Sequence, residues 1–147
     1  MAVRHIPDGY HTVTPFIVAN DTAKLVDFIK QAFGAEELDR MTTPDGTVVH
    51  AELRIGDSPI MLGEAQGEWK ALPAMLYLYV KDVDATFARA LKAGATTVKE
   101  VADQFYGDRN GTVKDSWGNV WSIGTHIEDV APDEMKRRAQ AAMQQHG

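Results

Sequence analysis

The sequence predicts an α+β protein built from two consecutive βαβββ units and a C-terminal helix. Three observations lead there. Apolar and polar residues alternate in short runs, most cleanly in "TVVHAELRIG" (47–56), as half-buried strands require. Two other stretches carry apolar residues at helical spacing and stop at glycine, Gly34 and Gly94. The order strand, helix, three strands then occurs twice, with "FGA" at 33–35 echoed by "AGA" at 93–95 and "DGTV" at 45–48 by "NGTV" at 110–113.

The first unit, about 10–66, opens on a strand from Tyr10 to Val18, ended by the turn-prone pair Asn20-Asp21, which also suits a helix N-cap. "TAKLVDFIKQAFG" then places Leu25, Phe28, Ile29, Ala32 and Phe33 on one helical face. Strands are predicted at Glu36–Thr42, Val48–Ile55 and Pro59–Glu64, separated by "PDG" and "GDS". In "TVVHAELRIG" the alternation sets Val49, Ala51, Leu53 and Ile55 on one face and His50, Glu52 and Arg54 on the other.

A loop with Trp69 and Pro73 leads to the second unit, about 74–127. "AMLYLYV" reads as a strand, Asp82 as a helix cap, and "DATFARALKAG" as a helix with Phe87, Ala90 and Leu91 on one face. Short strands follow at Thr96–Val101, Gly111–Lys114 and Asn119–Thr125. Pro132 then starts a helix reaching about residue 145, with i,i+4 pairs Asp133–Arg137 and Glu134–Arg138.

The length, 147 residues, fits a single domain with a real core. The formal charge is −6 without a basic stripe, which argues against a nucleic-acid partner. The lack of cysteine excludes disulfides, thiolate metal sites and a thiol nucleophile, and suits the cytoplasm. "MAVRHIPDGYHT" lacks the apolar core of a signal peptide, and no run reaches membrane-spanning length, so no membrane association is expected.

The stretches "TPFIVANDTAKLVDFIKQAFGA", "PDGTVVHAELRIGDSPIML", "LYVKDVDATFARALKAGA" and "FYGDRNGTVKDSWGNVWSIGTH" resemble the vicinal oxygen chelate superfamily, which includes glyoxalase I, extradiol dioxygenases and bleomycin-resistance proteins. The PhnB-like branch is the closer match. The resemblance runs from Thr14 to His126 and implies a cup-shaped mixed sheet with helices on its convex side. It also implies that His50, Glu52 and Arg54 face the cup. A homodimer is a further expectation, with units paired within one chain or exchanged between chains. Function does not follow from the fold, which hosts unrelated chemistries.

Metal-dependent members place His, Gln or Glu ligands on the first and last strands of each unit. The matching positions here read Thr14, Leu62, Met75 (Leu76 if the register slips by one) and Ser122. Two are apolar and two are lone hydroxyls, so the resemblance implies no metal and no cofactor, and standard glyoxalase or extradiol dioxygenase activity is not expected. His50-x-Glu52 has same-face spacing for a relocated site, while His11 and His126 are expected in solvent.

Under the cup arrangement Phe16, Arg54, Glu64, Tyr77, Tyr79 and Ser122 line the concave face, with Phe105, Tyr106 and Arg109 at the rim and Trp69 nearby. Each has a plainer reading. Phe16, Leu62 and Met75 singly suit core filling. Tyr77 and Tyr79 suit a ligand pocket or a dimer interface. The opening trio reads either as an ion-pair row, with Glu52 flanked by Arg54 and His50, or as a general base with an anion-gripping arginine. Asp108 and Arg109 suit a loop staple, Trp69 a pocket cap or an idle loop residue, Trp117 turn packing, and Trp121 the core. Besides a role in assembly alone, with no ligand, two functions remain open. One is a non-metal small-molecule binding protein holding a cationic or planar ligand against aromatic residues. The other is a lyase or isomerase using His50 and Glu52 for proton transfer, with or without a relocated divalent metal.

Overall fold

The computed structural model describes residues 2–146. The elements are β1 (Phe16–Ala19), α1 (Thr22–Phe33), β2 (Glu36–Thr42), β3 (Val48–Ile55), β4 (Ser58–Glu64), β5 (Met75–Tyr79), α2 (Val83–Lys92), β6 (Thr96–Asp103), β7 (Asp108–Lys114), β8 (Val120–His126) and α3 (Pro132–His146). They form two four-stranded mixed sheets, ordered β1-β4-β3-β2 and β5-β8-β7-β6. In each sheet the strand before the helix pairs parallel with the last strand, and the other pairings are antiparallel.

The two expected units are therefore present, with three adjustments. The first strand is shorter than the predicted Tyr10–Val18, beginning at Phe16. Its register opposes position 16 to Met61, so Thr14 and Pro15 would continue along Pro59 and Ile60, and two prolines cannot supply ladder donors. The seventh strand is longer than predicted and starts at Asp108, so Asp108, Arg109 and Asn110 are ladder residues rather than a turn. Asn110-Gly111 thus lies inside β7, whereas Asp45-Gly46 lies in the turn before β3. The "DGTV"/"NGTV" echo does not mark equivalent positions.

Helices α1 and α2 each cover one face of their own sheet. Leu25, Val26, Phe28, Ile29 and Ala32 of α1 are buried with Ile17, Ala51, Leu53, Ile60 and Leu62. Phe87 and Ala90 of α2 are buried with Val113, Trp121 and Ile123, while Leu91, expected on that face, is 37% exposed. Between the units α1 packs against α2, and Arg89 donates to the Gln31 carbonyl at 3.1 Å. Two tryptophans extend the joint. Trp121 is fully buried, as expected, its ring 4.8 Å from that of Phe33. Trp117 does more than pack a turn, because its Nε1 donates to the Asn20 carbonyl at 2.7 Å.

Among the described residues no helix covers the other face of either sheet. Phe16, Met75 and Tyr79 stand there 53%, 73% and 66% exposed. Among the described residues no helix is long and apolar enough to cross a membrane.

Candidate functional site

On the open face of the second sheet, the alternation of "MLYLY" places Met75, Tyr77 and Tyr79 together, with Leu76 and Leu78 turned to the core. Tyr77 Oη donates to Asp108 Oδ2 at 2.7 Å, and Tyr79 Oη donates to the same oxygen at 2.9 Å. Their rings lie 5.0 Å apart and are tilted by 49°. Asp108 is buried at the start of β7, opposite His126 at the end of β8, and its Oδ1 meets His126 Nδ1 at 2.9 Å. Nε2 of His126 reaches Asp129 at 2.7 Å. Asn110 Nδ2 closes the group, donating to Tyr77 Oη at 3.0 Å and to Tyr106 Oη at 2.8 Å.

The electrostatics follow from that wiring. Burial works to raise the Asp108 pKa, but donors from His126, Tyr77 and Tyr79 outweigh it and hold the carboxyl below its ordinary range. The bonds to Asp108 and Asp129 push His126 up. Burial, and then the Asp108 carboxylate, push the Tyr77 phenol up, and for Tyr79 the bond to Asp108 leads. The result is a fixed pair of neutral phenols wired to a buried carboxylate, with their ring faces open.

The first sheet has a different polar group. Tyr10, on the segment before β1, donates to Glu52 Oε1, while His50 Nε2 lies 3.4 Å from Glu52 Oε2. Burial and the Glu52 carboxylate raise the Tyr10 phenol to about 12. The Phe16 ring stands 5.9 Å from His50. Beside them an apolar cavity of about 280 Å³ is lined by Phe16, Val18, Val49, Gly63, Glu64, Gln66 and Trp69. Val49 is there because of a β-bulge. Met41 opposes His50, but Thr42 opposes Val48, so the face parity of β3 breaks and Val48 takes the core position.

The two units superimpose through their glycines. A Cβ on Gly63 would meet the Phe16 ring at 3.1 Å, and one on Gly124 would meet the Tyr77 hydroxyl at 2.5 Å. Phe16 opposes Met61 and Tyr77 opposes Ser122, so Phe16 and Tyr77 are equivalent, as are Met61 and Ser122, and Thr14 is matched to Met75 only by its spacing along the chain. His50 and Asn110, each opposite one of the glycines, are equivalent too.

A sequence model of the Glyoxalase/Bleomycin resistance protein/Dioxygenase superfamily matches residues 10–123. An uncharacterised protein of Mycobacterium bovis is 40% identical over 146 residues, covering 92% of this chain and 93% of that protein. The chain belongs to this superfamily. Among solved structures, TioX from Micromonospora sp. ML1 is similar with a TM-score of 0.69 and 26% identity, over 80% of this chain and 99% of TioX. A PhnB protein of Bacillus cereus, described as a putative 3-demethylubiquinone-9 3-methyltransferase, shares the fold with a TM-score of 0.59 and 16% identity, over 78% of this chain and 99% of its own.

The superfamily's metal positions can now be placed. Leu62 is fully buried against α1, so the counterpart of Ser122 on the open face is Met61, one residue earlier than the sequence suggested. Met61, Met75 and Ser122 lie on the open face, Thr14 precedes β1 with its hydroxyl donating to the His11 carbonyl at 3.3 Å, and Ser122 Oγ is already engaged with Thr112 Oγ1 at 3.0 Å. Two thioethers and two hydroxyls do not fit a hard divalent ion. Among the described residues no three His, Asp or Glu side chains converge in a metal-holding group.

Other expected site residues fall into two groups. Phe16, His50, Glu52, Tyr77 and Tyr79 lie on the open faces, and Trp69 lines the cavity. Phe105 and Tyr106 stack edge to face at 5.2 Å beside Asn110. Arg54 does not flank Glu52; it pairs with Glu36, the residue opposite it on β2. Glu64 has turned to the helix side, where its carboxylate accepts from the Asp21 and Thr22 amides at 3.0 and 2.9 Å and caps α1. It supplies the anion that Asp21, at φ 61°, does not provide with its own side chain. Arg109 grips Asp84 with two bonds of 2.9 Å and Asp103 at 3.0 Å, so it is a staple between α2 and the β6–β7 edge. His126 is exposed, as expected, and is also held between two carboxylates.

The sequence reading missed Asp108, Asn110 and Tyr10 as site members. Asp108-x-Asn110 has the same-face spacing of a strand, as His50-x-Glu52 does, but Gly107 and Gly111 around it read as turn signals. Nothing local to Tyr10 announces its bond to Glu52, 42 residues away.

Proposed function

We propose that this is a cytoplasmic, homodimeric, non-metal small-molecule binding protein whose ligand is a planar or organic cation seated on the aromatic face of the second unit. The observation that carries the reading is the shared acceptor: Tyr77 and Tyr79 both donate to Asp108 Oδ2. A phenol donating to a carboxylate gains electron density, which deepens the negative ring face a cation seeks. The bonds also fix both rings in advance, so a ligand need not order them. The open, partly apolar faces support a dimer in which a second copy covers them and encloses the ligand.

The test is thermal unfolding with tetramethylammonium, a larger alkylammonium and a planar aromatic cation. At least one should raise the melting temperature of wild type and not of Tyr79→Ala. Failure of every cation to shift wild type overturns the reading. Sedimentation of the protein at micromolar concentration tests the dimer.

The lyase or isomerase reading is favoured by one observation, the His50–Glu52 contact. However, Tyr10 donates to the other Glu52 oxygen, so a substrate proton reaching that carboxylate competes with a resident donor while the N-terminal segment is in place.

A further inference from the structure

Residues 2–14 have no regular structure and are mostly exposed. Among the described residues, the one hydrogen bond that ties them to the rest of the chain is from Tyr10 to Glu52; their others stay within the segment, such as Tyr10 N to Pro7 O and Thr14 Oγ1 to His11 O. Arg4 likewise pairs within the segment, with Asp8. The acceptor, by contrast, is rigid. Glu52 sits in the middle of β3, paired on both sides with Asp39 and Met61, its second oxygen beside His50. Beside Tyr10 is a hollow of about 320 Å³, bordered by Asp8 and Gly9 of the same segment and, on the sheet side, by Leu38, Asp39, Arg54 and Pro59.

We infer that the Glu52 carboxylate, with this hollow, is a receptor for a phenolic hydroxyl, and that Tyr10 is its resident, displaceable occupant. The chemistry selects phenols over alcohols. A phenol is several orders of magnitude more acidic than an aliphatic hydroxyl, and the more acidic donor gives the stronger bond to a carboxylate. Leu38 and Pro59, which border the hollow beside Glu52, offer the ring of such a ligand an apolar wall. Burial first, and then the Glu52 carboxylate, raise the Tyr10 phenol, so the bond adds to the rise without leading it. Segments held by few buried contacts open at low cost, so an external phenol competes with a tether of one bond rather than with a packed core. This site is on the other unit from the cation site and does not depend on it.

The experiment is calorimetric titration of phenol, and of anisole as the probe without a donor, into the full chain. A receptor occupied most of the time by its own tyrosine binds an outside ligand with an affinity reduced by the occupied fraction. Phenol should therefore bind Tyr10→Ala about tenfold tighter than wild type. Anisole should show no such gain, and adding Glu52→Gln to Tyr10→Ala should abolish the gain for phenol. Tyr10→Phe keeps the ring and removes only the hydroxyl, so it gives the same direction should the alanine variant not fold. Equal phenol affinity for wild type and both Tyr10 variants overturns the proposal. So does a gain that survives Glu52→Gln or appears equally with anisole.

Discussion

The Tyr77 hydroxyl occupies the space where a side chain on Gly124 would begin, 2.5 Å from the Cβ that any other residue would carry. The glycine on the last strand is what lets the phenol lie flat across the sheet and reach Asp108. Gly124→Ala should therefore destabilise the protein by about 1–3 kcal/mol, the usual range for forcing atoms into packed space. It should also remove binding at the aromatic face. Urea unfolding and a cation titration on the same variant check both parts.

Asp108 holds the two phenols by different means, and titration separates them. For Tyr79 the bond to Asp108 is the leading cause of its raised pKa, whereas for Tyr77 burial leads. Asp108→Asn should lower the Tyr79 transition toward the ordinary value and leave Tyr77 raised. Ultraviolet titration of the tyrosinates, with Tyr79→Phe as the reference, reads this directly. Two unchanged transitions would contradict the assigned geometry.

The His126–Asp108 pair makes stability depend on pH in a defined window. His126 has its pKa raised in the folded chain, so its contribution is full below the unfolded value of about 6.5 and fades as pH rises through the higher folded value. Asp108 has its pKa lowered, so its contribution is present above the unfolded value of about 3.9 and is lost as pH falls through the folded one. The melting-temperature gap between wild type and His126→Gln should be widest between those two unfolded values and narrow on either side. A gap that is flat from weakly acidic to mildly alkaline pH would contradict the pairing.

Glu64 acts on stability rather than on ligand. It caps α1 from another strand, with two amides on one carboxylate. Glu64→Ala should cost about 1–2 kcal/mol, the range for losing a good helix cap, and Glu64→Gln less, since an amide oxygen still accepts. Chemical denaturation measures the cost, and ligand affinity should stay as in wild type.

Much of the fold was legible because its signals are local. Helices α1 and α2 announced themselves through apolar spacing and the glycines that follow, and β3 through its alternation. The errors came where long-range pairing overrode a local cue. Pro15 and Pro59 cut the first strand short only because the register brings them together. The turn-like glycines of "FYGDRNG" concealed a strand that β8 completes.

The sequence by itself determined two βαβββ units, their helices and the placing of Tyr77 and Tyr79 on one face with Leu76 and Leu78 on the other. Period two and period 3.6 are properties of consecutive residues, and each segment carries them alone. Only the tertiary structure decided which partner each polar side chain takes. Arg54 went to Glu36 because β2 and β3 pair in that register, and Val49 left the core because of a bulge against Thr42. Glu64 was drawn to the bare amides of α1, and Asp108 gathered Tyr77, Tyr79 and His126 because β5, β7 and β8 lie side by side. A buried carboxylate must find donors wherever the sheet brings them, and those donors are set by register across strands rather than by spacing along one.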